Sequence, residues 1–158
     1  MRGGDRESKK FIEIVERMMI RWGYTHADGK VYALLLLNEK PLTIHELVQL
    51  TGLSRSSVST SLNKLARDYL VIVRKSGKTK LFYPIPAFLE KFLKQPKEIL
   101  EKEVKPLKNI VSVLMKRGQS FEQKVRFEEI LSDLNALECV LSKIIKMEEE
   151  EAECFKNK

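Results

Sequence analysis

The sequence predicts a mainly α-helical chain with one small β-hairpin, on three observations. Apolar residues recur at helical spacing through most of the 158 residues. In the middle, TIHELVQLTGLSRSSVSTSLNKLARDYL reads as two short helices about a tight turn. It is followed at once by VIVRKSGKTKLFYP, in which β-branched, aromatic and cationic residues surround a short turn. Two helices, a turn and then a hairpin is the order of a winged helix-turn-helix, here with long N- and C-terminal helices expected to dimerise. The expected division is an N-terminal helix over 1–26, the reader domain over 27–86 and a helical dimerisation region over 87–158.

The first helix is expected from Ser8 to Trp22. Phe11, Ile12, Ile14, Val15, Met18, Met19 and Trp22 give it a broad apolar side, and Gly23 breaks it. A second helix follows from Ala27 to Asn38, burying Val31, Leu34, Leu35 and Leu37. Trp22, Tyr24 and Tyr32 are candidates for an aromatic cage around a quaternary ammonium effector, because such rings attract cations through their faces. Core packing is the commoner fate of such residues.

The reader opens at Thr43. Its hydroxyl suits an orphan backbone N–H, and Glu46 three residues on suits the backbone N–H of Thr43, so a capping box starts a helix near Ile44. Ile44, Leu47, Val48 and Leu50 form its apolar side, and Gly52 ends it by accepting a left-handed backbone. Leu53 is apolar within the turn and is expected to plug the angle between two steeply crossing helices. Ser54 caps the next helix.

On that helix Val58, Leu62, Leu65 and Tyr69 form one stripe at the helical period, expected to face a core. The opposite side presents Ser56, Thr60, Asn63 and Arg67, flanked by Arg55, Ser57, Ser59 and Lys64. Hydroxyls, an amide and cations are short or basic hydrogen-bonding groups suited to base edges and phosphates in a major groove about 12 Å wide. A face selected only for helix stability would use Glu, Lys and Ala instead, since the five hydroxyls Ser56, Ser57, Ser59, Thr60 and Ser61 compete with helical hydrogen bonding. Thr43 joins this set of expected DNA contacts.

The hairpin is expected as strands Val71–Lys75 and Thr79–Tyr83 joined through Ser76, Gly77 and Lys78. Arg74, Lys75, Lys78 and Lys80 cluster at its tip, where lysine also serves to protect an edge strand. From Ser54 to Lys80 seven basic residues stand against Asp68 alone, a local balance of +6 in a chain whose total is +7. A positive excess concentrated on one helix and hairpin is the footprint expected for a polyanion.

Behind the hairpin, Pro84 and Pro86 stop the strand. Phe88, Leu89, Phe92 and Leu93 are expected to face inward until Pro96. Lys97–Lys116 carries Ile99, Leu100, Val104, Leu107, Ile110, Val111 and Leu114, with an interruption or kink at Pro106. After Gly118 a last helix is expected from Ser120 to Phe155. Its Phe127, Ile130, Leu134, Leu137, Leu141 and Ile144 alternate three and four apart as a heptad seam. Three heptads are short for an autonomous coiled coil, so the seam is expected to pack on the first helix, through Phe11, Val15 and Met18, and on a second copy of the chain.

The segment Leu42–Pro84 resembles the winged helix-turn-helix of the MarR superfamily, and the whole chain is most similar to its GbsR-type branch of prokaryotic regulators. The resemblance rests on RMMIRWGYTHADGKVYALLLL, on LTIHELVQLTGLSRSSVSTSLNKL, on the wing and on the long helical C-terminal half. It implies a homodimeric repressor on a roughly palindromic operator, with Ser54 through Arg67 in the major groove and Arg74 through Lys80 against the backbone or minor groove. Many members carry an acid in the wing loop, and SGK here has none. Relatives of this branch suggest osmolyte- or membrane-linked target genes, which the residues themselves do not specify.

Other classes fit poorly. No apolar run approaches the length of a membrane span, and MRGGDRESKK has no signal-like apolar region behind it, so a cytoplasmic protein is expected. His26 and Asp28 are too few ligands for a zinc site, and no Gly-rich phosphate loop, nucleophile elbow or HExxH pattern occurs, so neither cofactor nor catalysis is expected. Cys139 and Cys154 are too few for a disulfide framework. A redox-sensing thiol at a subunit seam is one alternative, with Cys154 disfavoured by its acidic neighbours. A winged-helix protein-interaction module is another. Abundant Lys and Glu with scarce Gln hints at a hot environment.

Overall fold

The computed structural model describes residues 5–150 and Cys154. Helix α1 (Arg6–Arg21) is capped by Asp5, whose carboxylate accepts from the Glu7 N–H, and ends where Gly23 turns the chain at φ +94°. Helix α2 (His26–Leu37) begins with a capping box in which Thr25 and Asp28 satisfy each other's backbone N–H groups. Helix α3 (Ile44–Thr51) has the Thr43/Glu46 box read from the sequence and stops at Gly52, φ +71°. Helix α4 (Arg55–Arg67) is capped by Ser54, and strands β1 (Val71–Ser76) and β2 (Thr79–Pro84) pair antiparallel from Val71↔Pro84 to Ser76↔Thr79. Gly77, φ +66°, sits first in the two-residue turn, the position that a type II′ hairpin reserves for glycine. Leu42 adds a bridge to Phe82, so the approach to α3 is pinned to the hairpin.

The chain divides into two units, Met1–Phe88 and Leu89–Lys158. In the first, α2 lies at the centre: Val31, Tyr32, Leu34 and Leu35 are enclosed by Val15 and Met19 of α1, Leu47 of α3, Val58, Leu62 and Leu65 of α4, and Val71 and Phe82 of the hairpin. Leu53 packs half-buried against this core, as its place in the turn demands. Helix α1 therefore shares the core of the first unit. Val15, expected at a dimer contact, is buried inside its own chain, while Phe11 is half-buried against the core and Ile14, expected inward, is exposed. Leu37 at the end of α2 is half-buried where full burial was expected.

The second unit is a helical hairpin. Helix α5 (Phe88–Ile99), a π-helical turn (Leu100–Val104) and α6 (Lys105–Met115) run on from one another, and α7 (Phe121–Glu150) packs back onto α6 and the π turn. The helix does not stop at Pro96, which is buried within α5, and ahead of Pro106 its α-helical pattern is interrupted, as expected, by the π turn. A proline lacks the N–H, and its ring crowds the carbonyl four residues back. Here the backbone widens just ahead of Pro106, with the Lys105 N–H reaching Leu100 O, and the run stays helical.

Leu100 and Val104 bury Leu134 and Leu141 of α7, with Ile99, Ile130 and Ile145 at the margin. Two residues of the expected intersubunit seam are thus covered from within the chain, Leu137 is exposed, and Phe127 and Ile144 are half-buried. The reason is register: the π turn presents Leu100 and Val104 to the face the heptad reading reserved for a partner. Phe92, Leu107, Ile110 and Leu114, expected inward, are exposed. The expected last residues of the C-terminal helix, 151–153 and 155, lie outside the described residues.

Gly29 marks the closest approach of α1 and α2, since a Cβ there would lie 2.8 Å from the Glu16 Cα, a backbone atom unable to give way. Gly29→Ala gains about 1 kcal/mol of helix propensity but meets an overpacking cost of about 1 to 3 kcal/mol. The expected net result is a lower melting temperature, read by thermal denaturation followed by circular dichroism. A higher one would show that α1 slides freely on α2.

Candidate nucleic-acid interface

The face of α4 is set by a polar tie behind it. Asp28 of α2 is 1% exposed. Its carboxylate accepts from the Thr25 N–H at 2.9 Å, the Ser61 hydroxyl at 2.7 Å and the Lys64 ammonium at 2.7 Å. A second tie closes the other end of α4, where the Tyr24 hydroxyl donates to Asp68 at 2.6 Å and the Arg67 Nε reaches the same carboxylate at 3.4 Å. A third spans α2 and the turn: Lys30 donates to Thr51 O at 2.8 Å, and the Thr51 hydroxyl, itself donating to Leu47 O, accepts from the Leu53 N–H at 3.1 Å.

These ties correct the residue assignments. Ser61, grouped by sequence with the groove-facing hydroxyls, is buried and points at Asp28. Lys64, expected on DNA, spends its charge on Asp28, one helical turn from Ser61 on the side facing α2. Asp28 is accordingly no companion of His26, whose exposed ring lies 3.8 Å from Glu16. Among the described residues no group of three His, Cys, Asp or Glu gathers as metal ligands would. Both Cys139 and Cys154 are exposed thiols.

The rest of the α4 face stands outward. Arg55, Ser56, Ser57, Thr60, Asn63 and Arg67 are exposed and Ser59 is half-buried, while Ser54 accepts from the Ser57 N–H as cap. Thr43 is also engaged as cap, accepting from the Glu46 N–H at 3.1 Å. Tyr69 departs from the predicted core stripe. It adopts φ +60°, stands 81% exposed, and leaves the core position to Leu70, whose N–H bonds to Leu65 O. The helix ends at Arg67, two residues before the stripe reaches Tyr69.

On the wing, Arg74 lies over the Tyr83 ring, 5.4 Å from its centroid, which orients the guanidinium along the outer face. Lys75 and Lys80 are direct cross-strand partners. Like charges so placed destabilise a sheet. None of Arg55, Arg74, Lys75, Lys78 and Lys80 forms an ion pair with a described residue.

The aromatic residues do not assemble around an open space. Tyr32 is 1% exposed, donates to Ile85 O at 2.6 Å and packs with Phe88, ring centroids 6.4 Å apart. Trp22 also meets Phe88, at 6.1 Å, and Tyr24 is occupied by Asp68. Burial pushes the Tyr32 phenol up to about 12 and, with the Asp68 hydrogen bond, raises that of Tyr24. Neither ionises under ordinary conditions. Sequence reasoning missed Asp28, Ser61 and Phe88 as organisers, although Thr25-x-x-Asp28 is a visible capping pattern.

Residues 18–87, spanning α2 to the hairpin and the end of α1, match the sequence model of a family described as sugar-specific transcriptional regulator TrmB. One solved structure, titled as a transcriptional regulator, is similar with a TM-score of 0.52 at 16% identity, over 92% of this chain and 99% of that one. At that identity the likeness concerns the fold. No curated protein matches the chain.

Burial alone would raise the Asp28 pKa, but hydrogen bonds from Lys64, the Thr25 backbone, Ser61 and the Thr25 hydroxyl outweigh it and leave the carboxyl below its ordinary value. A depressed pKa means stability that is full above the unfolded-state value, about 3.9, and is lost as pH falls through the folded value. Asp28→Asn should therefore cost about 1 to 3 kcal/mol near neutrality. In chemical denaturation the gap to the parent protein should narrow as the pH drops below 4. A gap independent of pH would mean that charge is not what Asp28 contributes.

Proposed function

We propose that the chain is a sequence-specific regulator of transcription that binds double-stranded DNA as a homodimer and represses by occupying a twofold-related operator. The observation that carries this is the surface shared by α4 and the wing. Short hydroxyls, Asn63 and Arg67 stand outward beside a hairpin that sets Lys75 against Lys80 at a cost in stability. A phosphate backbone converts that repulsion into attraction by releasing counterions. On this reading Asn63 suits an adenine edge, Ser56 and Thr60 suit base or phosphate, and Arg74, Lys75, Lys78 and Lys80 anchor phosphates. The GbsR-type assignment is a finer reading supported by the sequence motifs alone, whereas the family that matches is described by other words.

A second copy follows from scale. One recognition helix reads a few base pairs, whereas two related by a twofold axis read half-sites about 34 Å apart. With Leu134 and Leu141 already covered, the apolar rows left for a partner are Leu107, Ile110 and Leu114 on α6 and Leu137 and Val140 on α7. Leu107, Ile110 and Leu114 recur on one side of α6 and are all exposed, a row of apolar residues where single exposed ones would be unremarkable.

Three measurements test these readings. Duplex affinity should fall about 10³ to 10⁵-fold between 50 and 200 mM salt if six to ten phosphates are contacted, and a salt-insensitive complex would point instead to a protein-interaction module. Asn63→Ala should cost about 1 to 3 kcal/mol on the preferred site alone, while Lys78→Ala should weaken all sequences alike and reduce the salt slope by about one. Identical behaviour of the two variants would end the division into base reader and phosphate anchor. For the dimer, Ile110→Glu should halve the mass seen in sedimentation equilibrium; an unchanged mass would exclude that surface.

A further inference from the structure

A cleft of about 430 Å³ opens where α3, α4 and the wing meet. Thr43, the cap of α3, lines it with Ile44 and His45 of that helix, Arg55 from the first position of α4, and Lys78, Thr79 and Lys80 from the hairpin. Three full cations from two elements thus face one space with an imidazole and two hydroxyls. No carboxylate is among the described residues that line it, and the nearest in sequence, Glu46, accepts from the Thr43 hydroxyl and N–H at 3.0 and 3.3 Å. Such cations repel one another until an anion enters, and with the Thr43 hydroxyl given to Glu46, the Thr79 hydroxyl and the N–H groups of Arg55, His45, Lys78 and Lys80 are the donors that phosphoryl oxygens accept from.

We propose that this cleft seats one phosphodiester of the DNA backbone and that His45 makes the contact proton-linked. The proposal rests on the DNA-binding reading above. The anion is assigned to a backbone because Arg55 opens the exposed face of α4 and Lys78 and Lys80 form the wing tip, so a duplex touching both covers the mouth between them.

The sign of the linkage comes from the groups around His45. Arg55 from α4 and Lys78 and Lys80 from the wing oppose a fourth positive charge, while Glu46 on its own helix is turned to Thr43. A phosphate reverses that balance and favours the imidazolium, so binding takes up a proton. Affinity should therefore rise as the pH is lowered from about 8 to about 6, by at most about tenfold per pH unit.

The test uses the full chain and a labelled duplex of about three helical turns, followed by fluorescence anisotropy at constant ionic strength across that pH range. His45→Gln is expected to flatten the pH dependence while retaining binding, and His26→Gln, on the other histidine of the chain, is expected to leave it intact. Arg55→Gln should weaken binding at every pH and lower the salt slope. A His45→Gln protein that keeps the parental pH dependence overturns the proposal while leaving DNA binding in place. A parent protein that binds no duplex at any pH overturns the DNA reading and the seat together. Inorganic phosphate supplies the remaining arm: displacement of duplex beyond that produced by chloride of equal ionic strength, lost in His45→Gln, would assign the seat to a free phosphorylated ligand and overturn the backbone assignment.

Discussion

Asp28 is a carboxylate almost without access to water, and a charge in that position must be neutralised and fully hydrogen-bonded or the helices around it will not close. The sequence meets this demand with two residues a helical turn apart on α4, Ser61 and Lys64, and with the backbone N–H of Thr25. All the partners are directional. An apolar contact between α2 and α4 would tolerate rotation of α4 about its axis, because hydrophobic burial is indifferent to angle. Hydrogen bonds at 2.7 Å to one carboxylate are not, so the tie fixes which side of α4 faces outward. The outward-facing side is consequently determined from behind. The ties from Tyr24 to Asp68 and from Lys30 to Thr51 fix the far end of α4 and the angle of the turn in the same way. Helix α2 is the common origin of two of the three, and it is also the element most completely surrounded by the core.

Much of this was legible in the residues, where the signal is local. The Thr43/Glu46 box, Gly52 and Ser54 each act through backbone groups a few positions away, and each appears where the pattern puts it, while the hairpin turn is one residue shorter than read because Ser76 joins β1. What failed depends on distant partners. Ser61 looks like Ser56 or Ser59 until a carboxylate thirty-three positions earlier is brought beside it, and Lys64 looks like a phosphate anchor for the same reason. Tyr69 satisfied the helical stripe numerically, but the stripe has meaning only while the helix lasts. The aromatic residues were separated by a ring, that of Phe88, contributed from beyond the hairpin.

The second unit fails differently. A heptad pattern states that a helix has an apolar seam and is silent on which helix covers it. Covering comes from Leu100 and Val104, whose position depends on a π-helical turn that periodicity at 3.6 residues does not encode. Pro96 was read as the end of one helix and Pro106 as a kink or interruption of the next, because a proline does interrupt an ideal α-helix. Widening one turn absorbs the missing donor and carries the helix on, and the widened turn is what aims the two covering side chains.

The internal ties also redistribute the charge that a formal count assigns to the surface. Of the seven basic residues between Ser54 and Lys80, Lys64 is neutralised by Asp28 and Arg67 is partly shared with Asp68, which leaves Arg55 and four residues of the wing. The helix face is then mostly uncharged, with Ser56, Thr60 and Asn63 at its centre, and the electrostatic attraction is concentrated on the hairpin. On the DNA-binding reading proposed above, that separation has a physical advantage. Long-range charge attracts any duplex regardless of sequence, so a cation in the middle of the reading face would hold wrong sites almost as firmly as right ones. Drawing Lys64 inward removes such a cation from the face while using it to stabilise the tie that orients the face. One ion pair thereby serves both the fold and the proposed discrimination between sequences.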